Sequence, residues 1–280
     1  QETLSENPKI GLVLSGGGAK GLAHIGVLKV IDSLDLRIDY IGGSSMGAVV
    51  GGLYATGYSG QQLDSIFREV DFDILLGDKV PRSSKTFQER KNAEKYAASL
   101  PLNDFKLQLP SSISRGQNVY NLLTKLTKDE WGINDFSKLP IPFYCIATNM
   151  ETGKAVVLDK GNLAEAMSLS SILPTLFQPI EKDGILLMDG GIANNYPVEI
   201  LKTKKLDYII GVNVQEDLLT KDKIKSVSEI LTQINSFRST EVMKAKKEMT
   251  DLFIEPNVEG YNVISFNKGS EIIEKGKKAV

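Results

Sequence analysis

The chain is poor in the residues that build metal and thiol sites, with one histidine, His24, and one cysteine, Cys145, among 280 residues. A lone cysteine cannot form an internal disulfide, and a core of this size needs none even in an oxidising compartment. Because no tight carboxylate cluster lies near either residue, the sequence argues against a transition-metal site. The chain also lacks any run of 18 apolar residues, so we expect no transmembrane segment within it.

An excess of charge of one sign is also missing. Lysine and arginine number 33 and aspartate and glutamate 35, which leaves a net charge of −2. Nucleic-acid-binding domains usually carry a basic surplus, so we expect no nucleic-acid partner. With 41% hydrophobic and 24% charged residues, the composition is that of an ordinary globular protein.

The pattern along the chain alternates short apolar runs with amphipathic segments. Residues 9–15 and 38–42 predict strands, and residues 20–34 and 46–57, each after a glycine turn, predict helices. This rhythm is typical of an α/β fold with a parallel sheet. Further predicted helices are residues 61–70, 118–128, 163–171 and 226–249, and further predicted strands are residues 142–148, 185–188, 206–214 and 252–254.

The domain organisation follows from where this rhythm stops. Residues 1–8 are polar and predict a flexible N-terminal segment, while residues 9–280 are expected to form a single domain. Residues 77–116 form an irregular insertion, and such insertions often serve as lids or binding loops. The chain starts at Gln1 and not at methionine, which suggests a trimmed protein or removal of a signal peptide.

A glycine-rich loop lies between the first strand and the first helix, in the order Gly16, Gly17, Gly18, Ala19, Lys20, Gly21. Backbone amides at such a loop favour negative charge. The loop therefore suits either the oxyanion of a reaction or the pyrophosphate of a dinucleotide, with Asp39 placed for a ribose contact. A tight turn that packs helix on strand is a third interpretation.

A second glycine-flanked turn surrounds Ser45, which has Gly43 two residues before it and Gly47 two residues after it. Glycines at both positions allow a sharp strand-to-helix turn that presents a nucleophilic serine. The predicted strand before Ser45 and the predicted helix after it supply the context that this motif requires.

A nucleophilic serine needs a base, yet no histidine follows Ser45. His24 precedes it and lies one turn into an apolar helix, which is typical of a packing residue. The best candidate is Asp189, which ends an apolar strand and is followed by two glycines, although on the local sequence alone a simple Asp-Gly turn is the better explanation. A carboxylate with a pKa of about 3.9 is a weak base for an alcohol, so such a dyad would depend on strong oxyanion stabilisation.

The motifs together resemble the patatin-like phospholipase family over residues 10–254. The matching blocks are residues 15–21 (SGGGAKG), 23–28 (AHIGVL), 43–48 (GSSMGA), 189–191 (DGG) and 194–197 (NNYP), and residues 166–179 resemble a further family segment near the site. The resemblance implies a three-layer modified α/β hydrolase fold, in which helices flank a mostly parallel central sheet. It implies Ser45 as nucleophile, Asp189 as base of a Ser-Asp dyad, and the amides of Gly16, Gly17 and Gly18 as the oxyanion hole. The supporting motif residues would be Lys20, Gly21, Gly43, Gly47, Gly190 and Gly191.

The function expected from this resemblance is cleavage of acyl esters of phospholipids or related lipids, without metal or cofactor. Peripheral membrane contact would follow from a lipid substrate, and a homodimer is compatible with the sequence. The sequences of the motifs are most similar to those of bacterial members of the family. This suggests a secreted, periplasmic or outer-membrane-associated protein. It also suggests that the chain is a passenger domain ahead of an outer-membrane barrel. The alternatives are a dinucleotide-binding oxidoreductase that uses the loop from Gly16 to Gly21, and a catalytically silent lipid-binding module.

Overall fold

The secondary structure follows the predicted alternation of strands and helices. The computed structural model describes residues 8–78, 102–103, 106–107, 114–174, 176–215, 218, 220–224 and 227–280. The strands are β1 Ile10–Leu14, β2 Tyr40–Ser44, β3 Leu102–Asn103, β4 Lys106–Leu107, β5 Phe143–Asn149, β6 Ala155–Leu158, β7 Ile180–Lys182, β8 Ile185–Asp189, β9 Tyr208–Val212 and β10 Leu252–Ile254. The α-helices are α1 Ala23–Ser33, α2 Met46–Ala55, α3 Gly60–Glu69, α4 Phe72–Leu76, α5 Gln117–Leu126, α6 Leu163–Ser170, α7 Gly191–Asn194, α8 Val198–Lys202, α9 Val227–Glu248 and α10 Gly269–Lys277. Single 3₁₀ turns cover Gly18–Leu22, Lys128–Glu130, Phe136–Lys138, Lys221–Lys223 and Phe266–Lys268.

The central sheet is mostly parallel. Strands β10, β9, β1, β2 and β5 lie side by side in this order, and each neighbouring pair is parallel. Strands β6 and β8 pair with β5 in the antiparallel direction, and β7 pairs antiparallel with β8. Strands β3 and β4 form a separate two-stranded ladder.

Strands β2 and β8 lie end to end along the same side of β5. Ile146 pairs with β6 on one side and with Ser44 on the other. Its neighbour Ala147 also pairs with β6, and its opposite partner is Asp189. Because a strand residue has one neighbour on each side, β8 continues the position in the sheet that β2 leaves. The chain ends of β2 and β8 therefore meet, which brings the elbow after Ser44 to Asp189.

Both faces of the sheet are covered by helices, as its parallel strands require. Alternate residues of β1 point to opposite faces: Leu12 and Leu14 join the larger core cluster, and Val13 joins a second one. The larger cluster includes buried residues of α1, α2, α3 and α6, and the second includes Tyr196, next to α8. The predicted three-layer α/β architecture with helices on both sides is confirmed.

The differences from the predicted elements lie in the short and antiparallel pieces. Strands β6 and β7 and helices α4, α7, α8 and α10 were not predicted, because they are too short or too polar for a clear hydrophobic period. The N-terminal segment 1–8 and the insertion 77–116 lie largely outside the described residues. In the part of the chain that the structure describes, no helix has the length and hydropathy needed to cross a membrane.

Candidate active site

Ser45 occupies the sharp turn between β2 and α2. Its backbone has φ 53° and ψ −125°, a conformation that non-glycine residues rarely adopt and that is associated with functional strain. The glycines around it are required by packing: a Cβ on Gly43 would lie 2.5 Å from the Gly47 carbonyl oxygen, and one on Gly47 would lie 2.5 Å from the Ser15 carbonyl oxygen. The predicted elbow is therefore present, with strand before it and helix after it.

The Ser45 hydroxyl contacts the Asp189 carboxylate. Ser45 Oγ donates to Asp189 Oδ2 at 2.6 Å, and the two side chains are 4% and 5% exposed. The other carboxylate oxygen, Oδ1, accepts from the Gly191 amide at 2.7 Å. A Cβ on Gly190 would overlap the Ile146 carbonyl, and one on Gly191 would lie 2.9 Å from Asp189 Oδ1, so both glycines of this turn are sterically required.

Burial raises the proton affinity of the Asp189 carboxylate above that of an exposed aspartate. Desolvation raises its pKa to about 6, against the smaller opposing effects of hydrogen bonds from Ser45 and the Gly191 amide. A carboxylate with this pKa accepts a proton from an alcohol more readily than one with the ordinary value, yet it is still ionised at pH 7. This removes part of the objection that a carboxylate is too weak a base.

Two hydroxyl groups that the sequence did not single out bond to the backbone of Ser45 and of Asp189. Ser170, at the end of α6, accepts from the Ser45 amide at 3.0 Å and is fully buried. Thr148 Oγ1 donates to the Asp189 carbonyl at 2.6 Å and accepts from the Ala193 amide at 3.1 Å. Ser170 falls within residues 166–179, and the resemblance of this segment to the family was the one sequence feature that could have indicated it. Nothing in the sequence pointed to Thr148.

The glycine loop lies directly against the nucleophile. A Cβ on Gly16 would be 2.8 Å from Ser45 Cβ, so only glycine allows this approach. The Gly16 amide donates to the Asn195 carbonyl at 3.1 Å. The amides of Gly17 and Gly18 have no hydrogen-bond partner among the described residues, and Gly18 adopts φ +55°, which favours glycine.

The two remaining motif residues of the loop serve its packing. A Cβ on Gly21 would lie 2.5 Å from Met46 Cγ, so the loop helix packs closely on α2. Lys20 is 7% exposed and lies at the end of the loop. Both residues are therefore part of the structural support of the loop and the elbow.

His24 is buried behind the glycine loop, and its environment is that of a packing residue. It is fully buried, and its Nε2 lies 2.8 Å from the Ser15 carbonyl oxygen, to which it donates. Desolvation lowers its pKa to about 4, while the bond to Ser15 acts in the opposite direction. The ring is therefore neutral at pH 7 and acts as a packing residue that also supports the start of the loop.

Asp39 lies at the opposite end of the sheet from the glycine loop. It precedes β2, accepts from the Ile10 amide at the start of β1 at 2.9 Å, and pairs with Arg37. The glycine loop follows the other end of β1, about 16 Å away at the usual rise per strand residue. Asp39 is therefore not placed for the ribose contact that the dinucleotide alternative requires of it.

A cavity of about 230 Å³ lies between α5, α6 and the segment that leads to β7, and its lining includes Ile172, whose carbonyl accepts from the Asp189 amide at 3.2 Å. Its apolar walls include Val119, Leu169, Ile172 and Phe177. Leu169 and Ile172 flank the part of the chain that contains Ser170. Across the described residues, no group of three or more histidine, cysteine, aspartate or glutamate side chains is placed to hold a metal.

Comparison with known proteins gives a family. The model of the patatin-like phospholipase family matches residues 12–202. The lysophospholipase NTE1 of Scheffersomyces stipitis is 26% identical over 96% of this chain and 17% of its own length. A patatin-like phospholipase domain-containing protein of Caenorhabditis elegans, ZK370.4, is 29% identical over 96% of this chain and 20% of its own length. Human patatin-like phospholipase domain-containing protein 6 is 27% identical over 95% of this chain and 20% of its own length.

The fold also matches solved structures. VipD from Legionella pneumophila superposes with a TM-score of 0.51 at 14% identity, covering 98% of this chain and 66% of VipD. The chain spans a fifth or less of the length of the three curated relatives above.

Proposed function

The chain belongs to the patatin-like phospholipase family, and on this premise we propose that it is a serine acyl hydrolase that cleaves phospholipid or related lipid esters with a Ser45-Asp189 dyad. The observation that carries the proposal is the 2.6 Å hydrogen bond from Ser45 Oγ to Asp189 Oδ2 at a glycine-flanked elbow. A bond between nucleophile and base across 144 residues of sequence is the arrangement that covalent acyl transfer requires.

The proposed reaction has two steps. Ser45 Oγ attacks the ester carbonyl carbon while Asp189 Oδ2 takes the hydroxyl proton, and the negative charge develops on the carbonyl oxygen. When this intermediate collapses, the leaving alcohol takes the proton from Asp189 and the acyl group stays on Ser45. Water then attacks the acyl-enzyme with Asp189 again as base, which releases the fatty acid and restores the serine.

The oxyanion donors in this proposal are the amides of Gly17 and Gly18. The sequence suggested the amides of all three glycines, but the Gly16 amide donates to Asn195 and is not free for a substrate. Aligned amides in a water-poor site stabilise a developing oxyanion strongly, and removal of one donor typically costs 10²–10³ in rate. Such stabilisation complements a base of moderate strength.

The proposed site for the acyl chain is the cavity between α5 and α6, whose lining residue Ile172 accepts from the Asp189 amide. An acyl chain suits a cavity with walls such as Leu169, Ile172 and Phe177, because burial of methylene groups is favourable by about 0.8 kcal/mol each. Contact with a membrane surface or micelle follows from such a substrate and is part of the proposal.

The finer expectations from the sequence stay predictions. These are a single domain over residues 9–280, a lid in residues 77–116, a homodimer, and a bacterial secreted, periplasmic or outer-membrane-associated protein that continues into a barrel. The relatives named above are fungal and animal proteins. Comparison of the full-length gene product with this chain would decide the last point.

The proposal is tested by labelling with a fluorophosphonate probe, which reacts with activated serines. We expect the wild type and His24→Ala to label, Ser45→Ala not to label, and Asp189→Asn to label at least 10²-fold more slowly. Ser44→Ala is the matched control, because Ser44 is adjacent and buried and its hydroxyl has no hydrogen-bond partner among the described residues. It should label at the wild-type rate.

Two results would contradict the proposal. Loss of labelling in a folded His24→Ala variant would overturn the assignment of Asp189 as the base. A folded wild type that neither labels nor hydrolyses esters would favour the silent lipid-binding module.

A further inference from the structure

Asn195 holds the first glycine of the oxyanion loop from both sides. The Gly16 amide donates to the Asn195 backbone carbonyl at 3.1 Å, and Asn195 Nδ2 donates back to the Gly16 carbonyl at 3.2 Å. We propose that Asn195 is a positioning residue that fixes the glycine loop against the Ser45 elbow, and so controls the rate of oxyanion formation. This inference rests on the proposed function.

The side-chain amide of Asn195 has a defined orientation. Its NH₂ group donates to the Gly16 carbonyl and, at 3.0 Å, to Gln215 Oε1. The Gly16 carbonyl can only accept, so the NH₂ group and not the oxygen must face it. Neither an aspartate nor an alanine at this position could replace that donor.

Asn195 also links the loop to the turn that carries the base. Asn195 Oδ1 lies so close to Gly191 that a Cβ there would be 2.6 Å from it. Asp189 Oδ1 in turn accepts from the Gly191 amide. The side chain of Asn195, six residues after Asp189 in sequence, therefore contacts both Gly16 of the glycine loop and Gly191 of the turn that follows Asp189.

The loop position matters because of how close it lies to the nucleophile. Gly16 lies against Ser45 Cβ, and its own amide is already bonded, so its contribution is to place the Gly17 and Gly18 amides that follow. Oxyanion donors act only at about 2.7–3.1 Å from the charge that develops in the transition state. Release of Gly16 from Asn195 should therefore weaken transition-state stabilisation more than it weakens substrate binding.

The neighbouring Asn194 provides a matched control. It is buried, at 8% exposure, whereas Asn195 is partly buried, and the Asn194 side chain bonds to Glu199 and Lys246, away from the glycine loop. The amide groups at positions 194 and 195 are therefore identical in chemistry, and they differ in whether they contact the loop.

The test compares Asn195→Ala, Asn195→Asp and Asn194→Ala in the full 280-residue chain, with wild type and Ser45→Ala in the same assay. With p-nitrophenyl butyrate as substrate, we expect both Asn195 variants to lose about 10²-fold in kcat with KM changed less than about threefold. Asn194→Ala should keep kcat within about threefold, whatever its loss in Tm. In hydrogen exchange, the peptide that contains Gly16–Gly18 should exchange faster in Asn195→Ala than in wild type and in Asn194→Ala.

The outcomes separate this inference from the proposed function. If wild type is active, Ser45→Ala is inactive, and folded Asn195→Ala keeps kcat and loop exchange within threefold of wild type, the inference is wrong and the dyad stands. A rise in KM with unchanged kcat would also overturn it, since that would make Asn195 a binding residue. An inactive wild type would overturn both.

Discussion

At the scale of single residues, the environment of Asp189 determines how the site responds to pH. The carboxyl group is 5% exposed, and desolvation raises its pKa to about 6. In the proposed dyad, only the ionised carboxylate can take the Ser45 proton, so we expect activity to need pH values above this pKa. The buried ionised state is also unfavourable for folding, because the pKa is higher in the folded chain than that of an ordinary exposed aspartate.

The first prediction is a pH profile with a single acid limb. We expect kcat/KM for a neutral ester to be constant above pH 7 and to fall about tenfold per pH unit below the pKa of about 6. Stopped assays between pH 4.5 and 8.5, with circular dichroism to verify folding, would measure it. A profile that stays flat to pH 4.5, or one with its limb near pH 8, would contradict a base with this pKa.

At the scale of secondary-structure elements, the elbow and the glycine loop could be predicted from sequence, since both depend on local turns with glycine at fixed offsets. The contact between Ser45 and Asp189 could be predicted only in part. Asp189 was expected at the end of an apolar strand and lies there, at the end of β8, but the sequence did not indicate that β8 runs antiparallel to β5. Asp189 reaches Ser45 because β8 continues the position of β2 along β5. The pairing of β2 and β8 with the same side of β5 cannot be read from any local sequence pattern.

The positioning groups show the same limit of sequence reasoning. Ser170 meets the Ser45 amide across 125 residues of sequence, through the packing of α6 on α2. Thr148 reaches Asp189 from a neighbouring strand. Both are hydroxyl residues within apolar segments. Such residues are usually ordinary members of a helix or a strand, so their position in the sequence gives no sign of a functional contact.

The second prediction concerns the hold of α6 on the elbow. Ser170→Ala removes the acceptor of the buried Ser45 amide, and an unsatisfied buried amide costs about 1–3 kcal/mol. Ser45 adopts a positive φ, which a serine rarely does, so we expect kcat to fall about tenfold or more without this hydrogen bond. We expect the free energy of unfolding to fall by about 1–3 kcal/mol. Chemical denaturation and ester hydrolysis would measure the two effects.

Ser65→Ala serves as the control for this prediction. Ser65 is also in a helix, and its hydroxyl bonds to the Gln61 carbonyl on an exposed face. Its replacement should change stability by less than about 0.5 kcal/mol. If Ser170→Ala behaves in the same way as Ser65→Ala, α6 has no part in holding the elbow.

At the scale of the whole molecule, the site depends on residues beyond the family match, which ends at residue 202. The Val263 carbonyl accepts from the Ala19 amide of the glycine loop at 2.9 Å, and the Val214 amide donates to Ser15 Oγ at 2.9 Å. The C-terminal part of the chain therefore supports the rear of the predicted oxyanion hole. The sequence did not predict these contacts, because the residues that make them are about 200 positions apart or more in sequence.

Helix α10 is the largest of these supports and packs directly on α1. The two helices approach so closely that a Cβ on Gly26 would overlap the Ile273 carbonyl, and one on Gly276 would overlap the Ala23 carbonyl. Helix α1 begins at Ala23 and carries His24, which bonds to Ser15 at the start of the glycine loop. The contact of α10 therefore reaches the loop through one intervening helix.

The last prediction tests this contact with Gly276→Ala. The added methyl group would force α1 and α10 apart, so we expect the free energy of unfolding to fall by about 1–3 kcal/mol, although alanine has the higher helix propensity. Lys275→Ala, on the exposed face of the same helix, should leave it within about 0.5 kcal/mol. Denaturant titration of the three proteins measures the difference, and equal stability of Gly276→Ala and wild type would show that α10 does not pack on α1. A loss of stability confined to Gly276→Ala would instead show that the contact between α10 and α1 stabilises the fold.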